Sequence, residues 1–186
     1  MTVWKALALA ALAATCGISA VAQETQAPAA PAATTGAQPE TFKDCSLYCH
    51  APKDAAAQRV CEIRTVVMSK ENKPLGALVV AVVPDEKTKQ MQVIASALVP
   101  LGVDLLVEPG FKVDDGKPMP LRYLRCLQRG CEAMAPLPAE QQSAMRSGGK
   151  ANVEVAVGGG KNAVLGFSLS GFTAALDALK KASGIK

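Results

Sequence analysis

The pattern of hydrophobic and polar positions divides the chain into three stretches of different character. The first, Met1 to Ala22, has one charge at Lys5, an apolar stretch from Ala6 through Ala14, and the small-x-small triplet Ala20-Val21-Ala22. Charged, apolar and small-residue regions in that order predict a cleaved secretory signal, with Gln23 as the new N-terminus. Thr15, Gly17 and Ser19 interrupt the run. It therefore falls short of the roughly 20 strongly apolar residues that a membrane span needs, and no integral span is expected after cleavage. A lipid-modified Cys16 is the rival reading. Ala13-Ala14-Thr15 is a poor lead-in for it, because a small Gly, Ala or Ser normally precedes such a cysteine.

The second stretch, Gln23 to Glu40, is rich in Ala, Pro, Thr and Gln. It has too few large apolar side chains to offset the entropy of ordering, which predicts a flexible tether. The third, Thr41 to Ser183, is long enough for one sizeable core. Val60 to Ser69 has alternating, β-branched character. Leu75 to Val83 and Met91 to Val99 are nearly continuous apolar runs of strand length, and Val103 to Val107 and Phe111 to Val113 are shorter ones. Leu121 to Leu127 and Cys131 to Met134 flank Gln128-Arg129-Gly130, and Ala151 to Val157 and Ala163 to Leu169 flank Gly158-Gly159-Gly160. Many short strands between regularly spaced turn signals predict a mainly β fold, a sandwich or a barrel. Two segments look helical. Ala139 to Arg146 has room for about two turns. A final helix capped by Ser170 runs through Lys181, with Phe172, Ala175, Leu176 and Leu179 on one face and Gly184 stopping it.

Composition narrows the class further. With 49% apolar and 19% charged residues the chain is neither disordered nor multi-spanning. Fifteen Gly and twelve Pro argue against a helical bundle. The formal net charge of +4 comes without a concentrated basic stripe, so no nucleic-acid partner is expected.

Five cysteines follow the signal: Cys45, Cys49, Cys61, Cys126 and Cys131. An exported chain pairs its cysteines, and an odd number leaves one over. Cys126 and Cys131 flank a tight turn, and closing that loop contributes roughly 2 kcal/mol on chain-entropy grounds; Cys49–Cys61 contributes roughly 3. Cys45 is then the orphan. Cys45–Cys61 with Cys49 free is the nearest alternative, and spacing leaves the choice open.

Two cofactor readings compete with plain stapling. Cys45-Ser46-Leu47-Tyr48-Cys49-His50 is one residue longer than the C-x-x-C-H haem attachment motif, and His50 is the only histidine. Cys45, Cys49, His50 and Cys61 also have the ligand types of a zinc site. Against both stands the plainer reading of His50 as a loop histidine beside a disulfide, so no cofactor and no metal are expected.

Other chemical strings are weak. Ser147-Gly148-Gly149-Lys150 matches S-x-x-K without the companion motifs of that chemistry. Gly158-Gly159-Gly160-Lys161-Asn162 lacks the first glycine and the Ser or Thr of a phosphate loop. Glu108, Asp114 and Asp115 have the charge for a cation, but Asp-Asp-Gly between strands reads as a turn. One histidine and no base–nucleophile pair predict a protein that is not an enzyme.

Leu98-Val99-Pro100-Leu101-Gly102-Val103, then Pro109-Gly110, Val113-Asp114, Tyr123, Cys126 and Gly130-Cys131-Glu132-Ala133, resemble the centre of the invasion-associated locus B family. Phe167 through Leu176 (FSLSGFTAAL) resembles that family's C-terminal signature. The match extends from about Phe42 to Leu179. The resemblance implies an immunoglobulin-like antiparallel β-sandwich with a short C-terminal helix, exported by alphaproteobacteria to the periplasm or outer envelope. The family's founding member is linked to bacterial entry into red blood cells. Similar proteins occur in bacteria that invade nothing, so the name does not carry an activity with it.

On the family pattern Cys49 and Cys61 match the first cysteine pair, and Cys126 and Cys131 the second. Cys45 stands where members commonly have a tryptophan, which leaves it as a free or intermolecular thiol. The resulting expectation is an exported, non-enzymatic envelope protein that mediates protein or cell-surface interaction with an envelope or host-surface protein. The alternative is a thiol-redox or disulfide-linked assembly protein acting through an unpaired Cys45, for example as a Cys45-linked dimer.

Overall fold

The computed structural model describes residues 38–50 and 60–185. The signal at 1–22, Cys16 and the tether up to residue 37 lie outside the described residues. Alternation and apolar runs build a mainly β domain. A seven-stranded antiparallel sheet begins as a meander of β1 (Glu40–Phe42), β2 (Cys45–His50), β3 (Val60–Met68), β4 (Pro74–Pro84) and β5 (Met91–Val99). The chain then leaves this sheet for β6 (Gly110–Val113) and β7 (Met119–Pro120). It returns as the hairpin β8 (Arg122–Leu127) and β9 (Gly130–Pro136), with β9 beside β5 and β8 at the edge. After helix α1 (Ala139–Ser147) come β10 (Lys150–Val157) and β11 (Lys161–Ser168), which complete a second antiparallel sheet in the order β11-β10-β6-β7. Helix α2 (Phe172–Ala182) ends the fold.

The two sheets stack in a sandwich-like arrangement, with β11 against β3 and β4. Period-two alternation decides which side chains meet between them. On β10, Ala151, Val153 and Val155 are buried while Asn152 and Glu154 are not. Leu165 and Phe167 of β11, Phe111 and Val113 of β6, and Leu78, Val80 and Val82 of β4 complete that layer. Helix α2 buries Phe172, Ala175, Leu176 and Leu179, positions 3–4 apart that form one helix face, and packs on β2 and β3. No helix among the described residues is long and apolar enough to cross a membrane.

Three local expectations change. First, β1, β2 and β7 are strands that the apolar pattern did not mark. Second, Val103 to Val107 is not a strand: Val103 makes one isolated bridge to Val157 and the segment otherwise turns. Third, Ser170 does not cap α2. Gly171 occupies the N-cap with φ 90° and without a side-chain cap. A Cβ there would lie 2.0 Å from the carbonyl oxygen of Phe42, so both the left-handed backbone and the close approach of the β1–β2 turn require glycine. The C-terminus of α2 stops at Gly184 as expected. With φ 68° there, the Gly184 amide donates to the Lys181 carbonyl at 3.3 Å and the Ile185 amide to the Lys180 carbonyl at 3.0 Å. This is the paired closure of a Schellman motif.

The helices are joined by Arg146 Nη2, which donates to Asp177 Oδ1 at 2.6 Å. That hydrogen bond, helped by the charge of the guanidinium, lowers the Asp177 carboxyl below its ordinary value. A lowered folded-state value means that the pair stabilises the fold above the unfolded carboxylate range and loses its contribution as pH falls through the folded value. Asp177 is exposed, so the contribution is under about 1 kcal/mol. Asp177→Asn is therefore expected to cost that small amount at neutral pH and nothing in acid below the carboxylate range. Urea melts of both forms at the two pH values check this.

Candidate interaction surface

The segment Pro100 to Pro109 carries the chain from the large sheet to the small one, and its local chemistry explains why it turns. Asp104 Oδ1 accepts the Leu106 amide at 3.0 Å, an Asx turn that competes with strand pairing. The Val107 amide reaches back to the Asp104 carbonyl at 3.4 Å, and the Asp104 amide donates to the Ala156 carbonyl at 2.9 Å. The loop is thus pinned to the end of β10 while its apolar side chains face outward. Leu101, Leu105 and Val107 are exposed, and Leu106 is 95% exposed at the turn.

Two hairpin tips flank this loop. Val99, just before it, pairs with Cys131, at the base of the β8–β9 turn. A Cβ on Gly130 would meet the Val99 carbonyl oxygen at 2.3 Å, so hairpin and loop start in tight contact. Val103 bridges Val157 beside the glycine turn of the β10–β11 hairpin. The result is a loop between two hairpin tips on which Leu101, Leu105, Leu106 and Val107 stand exposed, four of the eleven exposed large hydrophobic residues among those described. A contiguous apolar patch rimmed by polar groups marks an interaction site more often than scattered exposed leucines do.

Charge at this end is sorted. Glu108 lies 3.5 Å from Arg122, and Glu132 lies 3.0 Å from Arg125. Glu132 also accepts from the Ser96 hydroxyl at 3.1 Å. Exposed Arg129 and Lys161 stand at the tips of the two hairpins. Below the loop, the Tyr123 hydroxyl is buried without a hydrogen-bond partner among the described residues. Its pKa is raised, first by burial and then by the Asp104 carboxylate.

The cysteines are distributed by strand alternation. Cys49 and Cys61 sit directly opposite each other on β2 and β3 and form a disulfide, and Cys126 and Cys131 do the same on β8 and β9. Cys45 is a free thiol, 0% exposed, with its sulfur 3.5 Å from the Thr65 hydroxyl. Burial, with the Asp44 carboxylate, raises its pKa, while the Thr65 hydrogen bond opposes the shift. Of the two readings of Cys45, as a free or as an intermolecular thiol, this placement favours the free one. A disulfide to a second chain needs an accessible sulfur, and thiol exchange needs the thiolate; the core withholds both. The thiol-redox alternative and the Cys45-linked dimer are accordingly not favoured.

The haem and zinc readings fail for a related reason. Cys45, Leu47 and Cys49 share the core side of β2, so His50 points to the other side with Ser46 and Tyr48. Cys49 and Cys61 are already bonded to each other. His50 is a strand residue paired with Val60, not a loop histidine, and its Nε2 lies 4.0 Å from Glu62 Oε1. Glu62 also pairs with Arg64, whose guanidinium lies 5.0 Å from the Tyr48 ring centroid.

The remaining strings serve local structure. Both Asp114 oxygens are occupied, by the Gly149 amide at 3.0 Å and the Lys150 amide at 2.9 Å. Ser147 donates to carbonyls of its own helix, at Ser143 and Ala144. Asn162 bridges its hairpin to Glu154 at 2.7 Å.

These features define a small two-sheet β protein, stapled by two disulfides and exposing an apolar loop end. The chain belongs to the family described as Invasion associated locus B (IalB) protein, whose profile matches residues 46–180. It is 30% identical over 148 residues to Invasion protein B homologs of Brucella abortus strain 2308 and of Brucella abortus biovar 1 strain 9-941, covering 76% of this chain and 78% of each relative. The crystal structure of invasion associated protein B from Bartonella henselae has the same fold. Its TM-score is 0.65 at 22% identity, over 77% of this chain and 95% of that one. The family resemblance and the mainly β, sandwich-like architecture read from sequence therefore hold.

Proposed function

We propose that this is an exported, non-enzymatic envelope protein that works by surface interaction, through the loop end around Leu106. One observation carries the reading. Four large apolar side chains, Leu101, Leu105, Leu106 and Val107, stand exposed on one loop that joins the two sheets. The two disulfides support export, because such bonds persist in oxidising compartments such as the periplasm. The occupied side chains of Asp114, Ser147 and the paired cysteines support a role without catalysis. The relatives' names speak of invasion; for this chain the reading stops at contact with an envelope or host-surface component.

A photo-crosslinking residue placed at Leu106 in cells tests it, with Asn152 on the polar face of β10 as control. A discrete adduct at position 106, absent at position 152, is expected. Equal background at both positions counts against the loop end as the working surface.

A further inference from the structure

We infer that the partner of this loop end is an anionic lipid surface, with Leu105 and Leu106 entering the boundary between headgroups and acyl chains and Arg129 and Lys161 meeting the lipid phosphates. The inference rests on the surface reading above and names the partner. Three observations favour lipid over protein. Leu106 stands almost wholly clear of the domain, on a turn fixed by Asp104, with no pocket wall around it. An isolated projecting side chain suits a fluid phase that closes around it, whereas protein contacts need a matched cavity. Next, the patch is aliphatic. Every described aromatic residue is buried or half-buried, while protein–protein hot spots are rich in Trp, Tyr and Arg and poor in Leu and Val. Finally, the charges are arranged for phosphate. Glu108 and Glu132 are paired with Arg122 and Arg125, and Asp104 keeps its negative charge while its Oδ1 accepts the Leu106 amide, so Arg129 and Lys161 outnumber it. The cations at the two hairpin tips, Arg129 and Lys161, flank the apolar loop. Interfacial anchors combine these two elements, buried apolar area and attraction to anionic headgroups.

The test is co-sedimentation of the protein, recovered as the cell processes it, with vesicles of phosphatidylcholine alone or mixed with phosphatidylglycerol. Binding to the mixed vesicles, weaker on phosphatidylcholine and reduced by salt, is expected. The double variant Leu105→Asp, Leu106→Asp should lose at least about tenfold in partitioning, since it withdraws two leucines from hydrocarbon. Arg129→Ala and Lys161→Ala should each lose about fivefold on anionic vesicles, the weight of one basic group near such a surface. These positions are exposed, so thermal melts of the variants should match the parent. The single Leu106→Asp variant serves if the double one does not fold.

Binding that is unchanged in the leucine variants overturns the inference, because another part of the chain would then be carrying it. Absence of binding to either vesicle also overturns it. If a protein adduct nonetheless forms at position 106 in cells, the surface reading stands with a protein partner. If neither vesicle binding nor any adduct is found, both readings fall.

Discussion

Phe167→Ala is expected to lower the free energy of unfolding by about 3–5 kcal/mol. Phe167 is fully buried on β11 and pairs with Ala151 of β10. Its ring reaches across to β4, where a Cβ added to Gly76 would lie 3.6 Å from the ring's Cζ. The space it fills is bounded by backbone of two sheets, which cannot collapse into a cavity as a loose helix can. The cost should therefore fall toward the upper part of the range. Val164, on the same strand but 60% exposed, is the internal control. Val164→Ala should change stability by less than about 0.5 kcal/mol. Urea melts at constant m-value measure both. A Phe167→Ala loss below about 1 kcal/mol would mean that the sheets do not meet where described.

The second large effect is expected from the β2–β3 staple. Replacing Cys49 and Cys61 together by alanine should cost roughly 3 kcal/mol, because their bond, at a sequence separation of 12, closes the longer of the two loops. The same change at Cys126 and Cys131, with a separation of 5, should cost roughly 2 kcal/mol. Replacing both members avoids a lone reactive thiol in the folded state. The order of the two losses is the informative quantity. If the short hairpin bond proves the more important, the chain-entropy argument fails here and the β8 edge depends on its disulfide for native geometry.

Much of the architecture was legible because the core strands obey the simplest pattern. Ala151, Val153 and Val155 alternate with polar residues, and β4 and β5 are apolar runs with clear turn signals at both ends. Strand β2 has the same alternation, with Cys45, Leu47 and Cys49 inward and Ser46, Tyr48 and His50 outward. There the metal-like spelling of the segment competed with its strand period. That period separates His50 from the cysteines. The start of α2 was misplaced by two kinds of N-terminal preference. Serine is favoured where a side chain must accept an amide, but here the approach of Phe42 leaves room only for glycine.

The loop end was harder to read, for two physical reasons. Val103, Leu105 and Val107 alternate like a strand, and only the side-chain acceptor of Asp104 two residues before Leu106 hints at a turn. The end also draws on three distant segments, around residues 105, 128 and 160. They are brought together by the crossing from β5 to β6 and by the Val103–Val157 bridge, and no local pattern encodes that contact.

The bond between Cys49 and Cys61 has a mechanical consequence. The chain enters the domain at β1, on the edge of the large sheet, so tension applied through residue 38 opens β1 from β2 one rung at a time, as a zipper opens. Peeling continues along β2 only as far as Cys49. There the load passes through the sulfur bridge into β3, which is held on its other side by the full length of β4. In a protein pulled by its N-terminal side, the disulfide therefore limits the chain released from the sheet edge to the residues before Cys49.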